Sequence, residues 1–160
     1  MSKKCKPSLA YERVYIDIGE IMPMISECIS SGRSVRIPIK GTSMLPLLRE
    51  GIDSAVLSRC DEPARGDVVL YRRDGGDYVL HRIIALRGDR YVMCGDNQHI
   101  AEGGIRRDQI IATMTSYYRG EREMRTDSLS YKLYCARRVF IRRARNLFLR
   151  IRRRLFGAKG

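Results

Sequence analysis

A chain of 160 residues, 44% hydrophobic and 31% charged, holds enough apolar material for one packed domain. It is too short for a doubly wound cofactor fold with a separate substrate domain. Its longest charge-free run, Gln109 to Tyr118, falls far below the ~18–20 apolar residues of a membrane-crossing helix. The N-terminal MSKKCKPSLAYER has no apolar stretch behind its basic residues, so no secretory signal is expected. The net charge of +13 is unevenly placed: residues 127–160 carry +10, with Asp127 their one acid, and the rest of the chain carries +3. Arguments from basicity to an anionic partner therefore apply first to the C-terminal segment. Five cysteines, Cys5, Cys28, Cys60, Cys94 and Cys135, are widely spaced with no C-x-x-C, which speaks against a disulfide framework or a zinc site. A reduced, cytoplasmic chain without metal or cofactor is expected, with a peripheral position at the inner membrane surface as its variant.

In chain order, Ile18, Ile21, Met22, Ile25, Cys28 and Ile29 recur at helical spacing and predict a helix over Asp17–Ser31. Asp17 and Glu20 resemble a capping box, and Gly32 is a natural stop. Pro23 conflicts with a straight helix, so a bend there or a later start is expected. After Gly32 the period changes to two. Val35, Ile37 and Ile39 share one face of Ser34–Ile39, and short β-like runs follow at Ser54–Ser58, Asp67–Arg72, Tyr78–Leu86, Arg90–Cys94 and Ile110–Tyr118. Turn signals separate them at Gly51, Gly66, Gly88-Asp89, Gly95-Asp96-Asn97 and Gly103-Gly104, and Asp74-Gly75-Gly76 predicts a hairpin. The fold class is mainly β: a coiled antiparallel sheet or partly open barrel, with an N-terminal helix and a basic amphipathic C-terminal helix. The expected organisation is a helical segment over 1–33, a β-rich core over 34–126 and the basic helix over 127–160. In that helix Leu133, Ala136, Phe140, Ala144, Leu147, Phe148, Ile151 and Leu155 form one stripe among arginines.

Three places could carry chemistry. In KGTSMLPLLREG (40–51), Gly41 permits tight backbone geometry before Ser43, and Pro46 ends regular structure soon after. A serine on such a turn can present its oxygen beside backbone N–H groups able to stabilise an oxyanion; a serine at an ordinary strand-to-turn junction looks the same. In YVLHRIIAL (78–86), His81 shares a strand face with Val79, Ile83 and Ala85. It is either a satisfied core histidine or a neutral imidazole that takes a hydroxyl proton. In MCGDN (93–97), Asp96 is either a turn former or a carboxylate that orients the imidazole, and Glu102 could do the same.

In order, GTSMLP, ARGDVVLYR, YVLHRIIAL and MCGDN resemble the signal peptidase I and LexA-type serine peptidase superfamily, over about Ser34 to Thr115. Arg65-Gly66-Asp67-Val68-Val69 matches the family's R-G-D-[VI]-V strand and Gly95-Asp96-Asn97 its G-D-N box. The resemblance implies that Ser43 is the nucleophile and that its own N–H serves the oxyanion. Some members place a hydroxyl two residues before the nucleophile as second donor; Gly41 stands here. His81 occupies the place of the lysine base of bacterial members, which resembles the Ser-His pattern of archaeal and endoplasmic-reticulum signal peptidases. The acid implied is Asp96, favoured by its box, or Glu102. The spanning helix of signal peptidases and the DNA-binding domain of LexA-like proteins are not expected.

The expected function is a serine endopeptidase that cleaves a precursor or signal-type peptide bond, with a peptide or protein as its partner. The alternatives are a non-catalytic or self-cleaving regulatory module of the same fold, or a membrane-surface binding protein. For residues 130–156 three readings stand: contact with an anionic membrane surface, contact with nucleic acid, and packing on the domain by the stripe. Aromatic residues are not interleaved as in a base-stacking platform, which speaks against nucleic acid.

Overall fold

The computed structural model describes residues 18–141. Helix α1 (Ile18–Ser30) buries Met22, Ile25 and Ile29 along one face. At its end Gly32 takes φ 80, and the N–H groups of Gly32 and Arg33 donate to the carbonyls of Ile29 and Cys28, the paired bonds of a Schellman stop. α1 runs through Pro23 and does not begin after it. Met22 and Ile25 are buried on either side, so packing carries the helix across the missing donor. Asp17, half of the expected capping box, lies outside the described residues.

Eight strands follow: β1 (Val35–Pro38), β2 (Ser54–Ser58), β3 (Val68–Arg72), β4 (Tyr78–Arg87), β5 (Arg90–Cys94), β6 (Glu102–Ile105), β7 (Ile110–Arg119) and β8 (Arg122–Arg125). They form one antiparallel sheet that does not close, in the order β1-β2-β7-β3-β4-β5-β6, with β8 paired to β7. Six lie where the alternation predicts them. β6 and β8 do not follow from it. Gly103-Gly104, a turn signal in the sequence, lies inside β6, where Met93 pairs with Glu102 and Tyr91 with Ile105. Glycine weakens a strand without forbidding it, and the ladder offered by β5 decides the local conformation. β8 (REMR) has no apolar alternation and is held as the hairpin partner of β7.

β3 organises the core. Val68 and Leu70 join one apolar cluster with α1, Leu48, Leu57 and Met114, while Val69 and Tyr71 join a second with Ile83, Tyr91, Met93 and Ile105. Both faces of β3 are therefore covered, which suits the unbroken apolar run VVLY. β4 divides its side chains in the same way until a bulge between Ile83 and Ala85 ends the alternation, so the predicted His81 face stops at Ile83.

A second helix, α2 (129–141), packs on the sheet through Tyr131, Tyr134 and Cys135. The expected apolar stripe is not the packed face: Leu133 and Phe140 remain 62% and 72% exposed. The physical reason is a buried ion pair. Arg82 and Asp96 are joined by two bonds, Nε to Oδ1 at 2.8 Å and Nη2 to Oδ2 at 2.7 Å, with both side chains almost wholly buried. Arg82 Nη1 donates to the Gly66 carbonyl at 2.6 Å and to the Tyr131 hydroxyl at 3.0 Å, and lies 3.1 Å from Cys135 Sγ. The Tyr134 hydroxyl donates to Asp96 Oδ2 at 2.9 Å. Tyrosine and cysteine can satisfy these polar groups, whereas leucine and phenylalanine would leave them without partners. The remainder of the stripe, from Ala144 on, lies outside the described residues.

Breaking this pair should leave a buried charge uncompensated. Asp96→Asn should destabilise the fold by about 3–5 kcal/mol, read as a lower denaturant midpoint at unchanged slope. A midpoint equal to that of the wild type would show that the pair does not hold α2 on the sheet.

Candidate active site

Ser43 lies on the loop between β1 and β2. Met44, Leu47 and Leu48 are buried in the first cluster and anchor the loop, while Ser43 stays half-buried. Gly41 supplies the turn, with φ 81, a conformation that favours glycine. At the far end Gly51 N–H donates to the Ile39 carbonyl, and the Asp53 carboxylate accepts from the backbone N–H and guanidinium of Arg49. The loop is thus closed at both ends and pinned from below.

Gly95-Asp96-Asn97 holds the loop from the side, with a separate task for each residue. Asn97 N–H donates to the Ser43 carbonyl at 2.8 Å, and Asn97 Nδ2 donates to the Thr42 carbonyl at 3.2 Å. Asp96 binds Arg82 and Tyr134. Gly95 leaves room: a Cβ there would stand 2.6 Å from the Ser43 carbonyl oxygen.

His81 approaches from β4. It pairs with Val69 on β3, and its neighbour Arg82 pairs with Cys94 on β5. Successive side chains of a strand point to opposite faces, so His81 turns to the second cluster and Arg82 to the first. Extending the Arg82–Cys94 register by one residue sets Gly95 opposite His81, and directly facing positions stand ~5 Å apart. The Ser43 carbonyl thus occupies the place a Gly95 side chain would take. Among the described residues, the hydrogen bond of the His81 ring runs to Tyr71, and none joins it to the Ser43 hydroxyl.

The remaining partners form a chain. His81 Nδ1 lies 3.3 Å from the Tyr71 hydroxyl, which donates to Glu102 Oε2 at 2.8 Å; Glu102 in turn accepts from Arg73, at 2.7 Å to Nη2. A hydroxyl has one proton. Because Tyr71 gives it to a carboxylate, which only accepts, its oxygen is left to accept from Nδ1–H. This fixes the tautomer and leaves the lone pair of the neutral imidazole on Nε2. Burial pushes the Tyr71 hydroxyl pKa up, so it keeps its proton. Burial also works to raise the Glu102 carboxyl, but the bonds from Arg73 and Tyr71 outweigh it and hold it below the usual range. Burial first, and then the Arg73 guanidinium, push His81 down from 6.5 to about 4, against smaller opposing effects of Glu102 and Asp96.

Of the residues singled out from sequence, Ser43 and Gly41 share the β1–β2 loop, and no hydrogen bond among the described residues joins that loop to His81. Glu102 reaches it through one hydroxyl, and Asp96 is engaged on the opposite face. A family model described as Peptidase S24-like matches residues 2–115. The chain belongs to the Peptidase S24-like family. That family's match takes in Ser43, His81, Asp96 and Glu102, and α2 lies beyond it. A search of curated proteins finds no match. Among the described residues, no helix of this family member is long and apolar enough to cross a membrane, and no group of His, Cys, Asp and Glu is arranged to hold a metal ion.

Sequence reasoning missed Tyr71, Arg73 and the roles of Arg82 and Asn97. A signal for Tyr71 existed. The Asp74-Gly75-Gly76 hairpin sets Tyr71 opposite Val79, and the period of two then puts Tyr71 and His81 on one face.

The contact at Gly95 is with backbone, which cannot swing aside. Gly95→Ala should displace the Ser43 loop and destabilise the fold by about 1–3 kcal/mol, read as a lower denaturant midpoint with far-UV circular dichroism unchanged. An unchanged midpoint would show that the Ser43 position does not depend on this packing.

Proposed function

We propose that this Peptidase S24-like protein is a serine endopeptidase that cuts a precursor or signal-type peptide through Ser43 and His81. In this reading His81 Nε2 takes the Ser43 hydroxyl proton as Oγ bonds to the scissile carbonyl carbon. The oxyanion is met by the Ser43 N–H and the backbone around Gly41. The C–N bond then breaks, and the proton on Nε2 passes to the leaving amine. Water repeats the sequence on the acyl-enzyme: Nε2 takes a water proton, hydroxide adds to the ester carbon, and Ser43 leaves with the proton returned. The substrate lies extended along a strand edge, bound by main-chain hydrogen bonds.

The single observation that carries the reading is the contact of His81 Nδ1 with a Tyr71 hydroxyl that donates to Glu102; with that proton committed, Nδ1–H is the donor and Nε2 the acceptor. It favours one of the two candidate acids. Glu102 takes the orienting role, acting through Tyr71, in place of the sequence preference for Asp96, whose oxygens are taken by Arg82 and Tyr134. Tyr71 and Glu102 are positioning residues. The resemblance to Ser-His signal peptidases and a cytoplasmic site of action belong to the same proposal.

Ser43→Ala and His81→Ala should each lower peptide turnover by about 10³–10⁶-fold, with little further loss in the double variant, because the two groups act as one unit. Full activity in either variant would refute the pair. The active form of His81 is neutral, so activity falls as pH drops through its folded pKa. The acid limb of kcat/KM should lie near 4 rather than 6.5. Arg73→Met removes a cation and leaves Glu102 uncompensated; both effects favour the imidazolium, so the limb should move to higher pH. A limb at 6.5 in the wild type, unmoved by the substitution, would remove His81 as the base.

A further inference from the structure

We infer that the face of α2 turned away from the sheet is a binding surface for an anionic lipid bilayer. The inference is independent of the Ser43–His81 reading. α2 is amphipathic in an unusual sense. Its inner face is polar-aromatic, with Tyr131, Tyr134 and Cys135 engaged with the Arg82–Asp96 pair. Its outer face is apolar: Leu129, Leu133 and Phe140 are 73%, 62% and 72% exposed, and Ala136 is exposed between them. At 3.6 residues per turn these four fall within about 60° of arc. Lys132 and Arg137, both exposed, flank the row on either side. In the sequence beyond 141, Ala144, Leu147, Ile151 and Leu155 recur at the spacing of the row, among eight further basic residues and no acid.

Charge chooses the occupant. A second copy of the chain would bring Lys132 and Arg137 against their own kind, and like charges across an interface repel. A nucleic acid would be met by a continuous cationic face, whereas the row itself is apolar and bordered by cations. An anionic bilayer offers both parts at once. Leucine and phenylalanine enter the acyl boundary, while lysine and arginine lay their alkyl stems along it and keep their charges at the headgroups.

The full chain has no tryptophan, so Phe140→Trp gives a single reporter at an exposed site. With vesicles of phosphatidylcholine and phosphatidylglycerol, its emission should shift to the blue and be quenched by brominated acyl chains; pure phosphatidylcholine vesicles should produce neither effect. Leu133→Ser with Phe140→Ser should reduce flotation with the anionic vesicles at least 10-fold, while the melting temperature stays that of the wild type, since both side chains are solvent-exposed. Four outcomes would overturn the inference: no flotation of the wild type, equal flotation with neutral vesicles, undiminished flotation of the double-serine variant, or self-association of the wild type that the same variant abolishes.

Discussion

The buried pair of Arg82 and Asp96 is the constraint on which the rest of the structure depends. Its two side chains are drawn from β4 and from the turn after β5, and both lie on the face covered by α2. Once that face holds the ion pair, alternation along β4 sends His81 to the other face, and Gly95 stands at the start of the turn that carries Asp96. His81 supplies an imidazole and Gly95 an empty position that the Ser43 backbone fills. An ion pair in such a setting is weak evidence of stability, because desolvation offsets much of the attraction. Its strength here is geometric. Every nitrogen of the Arg82 guanidinium has a partner, on a turn, a helix or the carboxylate, so the pair locks three parts of the chain in one arrangement.

The surroundings of His81 have the opposite character. Burial disfavours its charged form, and Arg73 adds to that effect. The resting imidazole is therefore unprotonated throughout the neutral range, which keeps it available to accept a proton, at the expense of basicity. The carboxylate that could stabilise a transient imidazolium is held one hydroxyl away and is itself neutralised by Arg73. The Tyr71 hydroxyl passes on the orientation without bringing a full negative charge against the ring. Aspartate in direct contact would raise the imidazole pKa; a tyrosine bridge fixes the tautomer with less effect on it.

Much of this was legible in the sequence, for physical reasons that differ by element. The strands with apolar alternation, such as Ser54–Ser58 and Arg90–Cys94, could be read because one face of each must be buried. β6 could not, since Glu102-Gly103-Gly104-Ile105 has the composition of a turn and is a strand only because β5 presents a free ladder to it. Ser43 and His81 stood out through the order of the motifs. Glu102 was one of the two acids the motifs offered, but the Tyr71 that bridges it to His81 was not, because neither local spacing nor residue type announces a bridged contact across 21 positions of chain. The ion pair of Asp96 was hidden for a related reason. The same Gly-Asp-Asn turn serves a catalytic acid or a structural ion pair, and only the side on which Arg82 lies separates them. The stripe on α2 was visible as a pattern, but periodicity reports that a face is apolar, not which way it turns.

The most direct measurement is the site and rate of labelling by an alkyl fluorophosphonate, mapped by peptide mass spectrometry. The account predicts one adduct, on Ser43, that forms in the wild type and is lost in folded His81→Ala. An unlabelled wild type, or a His81→Ala protein labelled at the same rate, would contradict it.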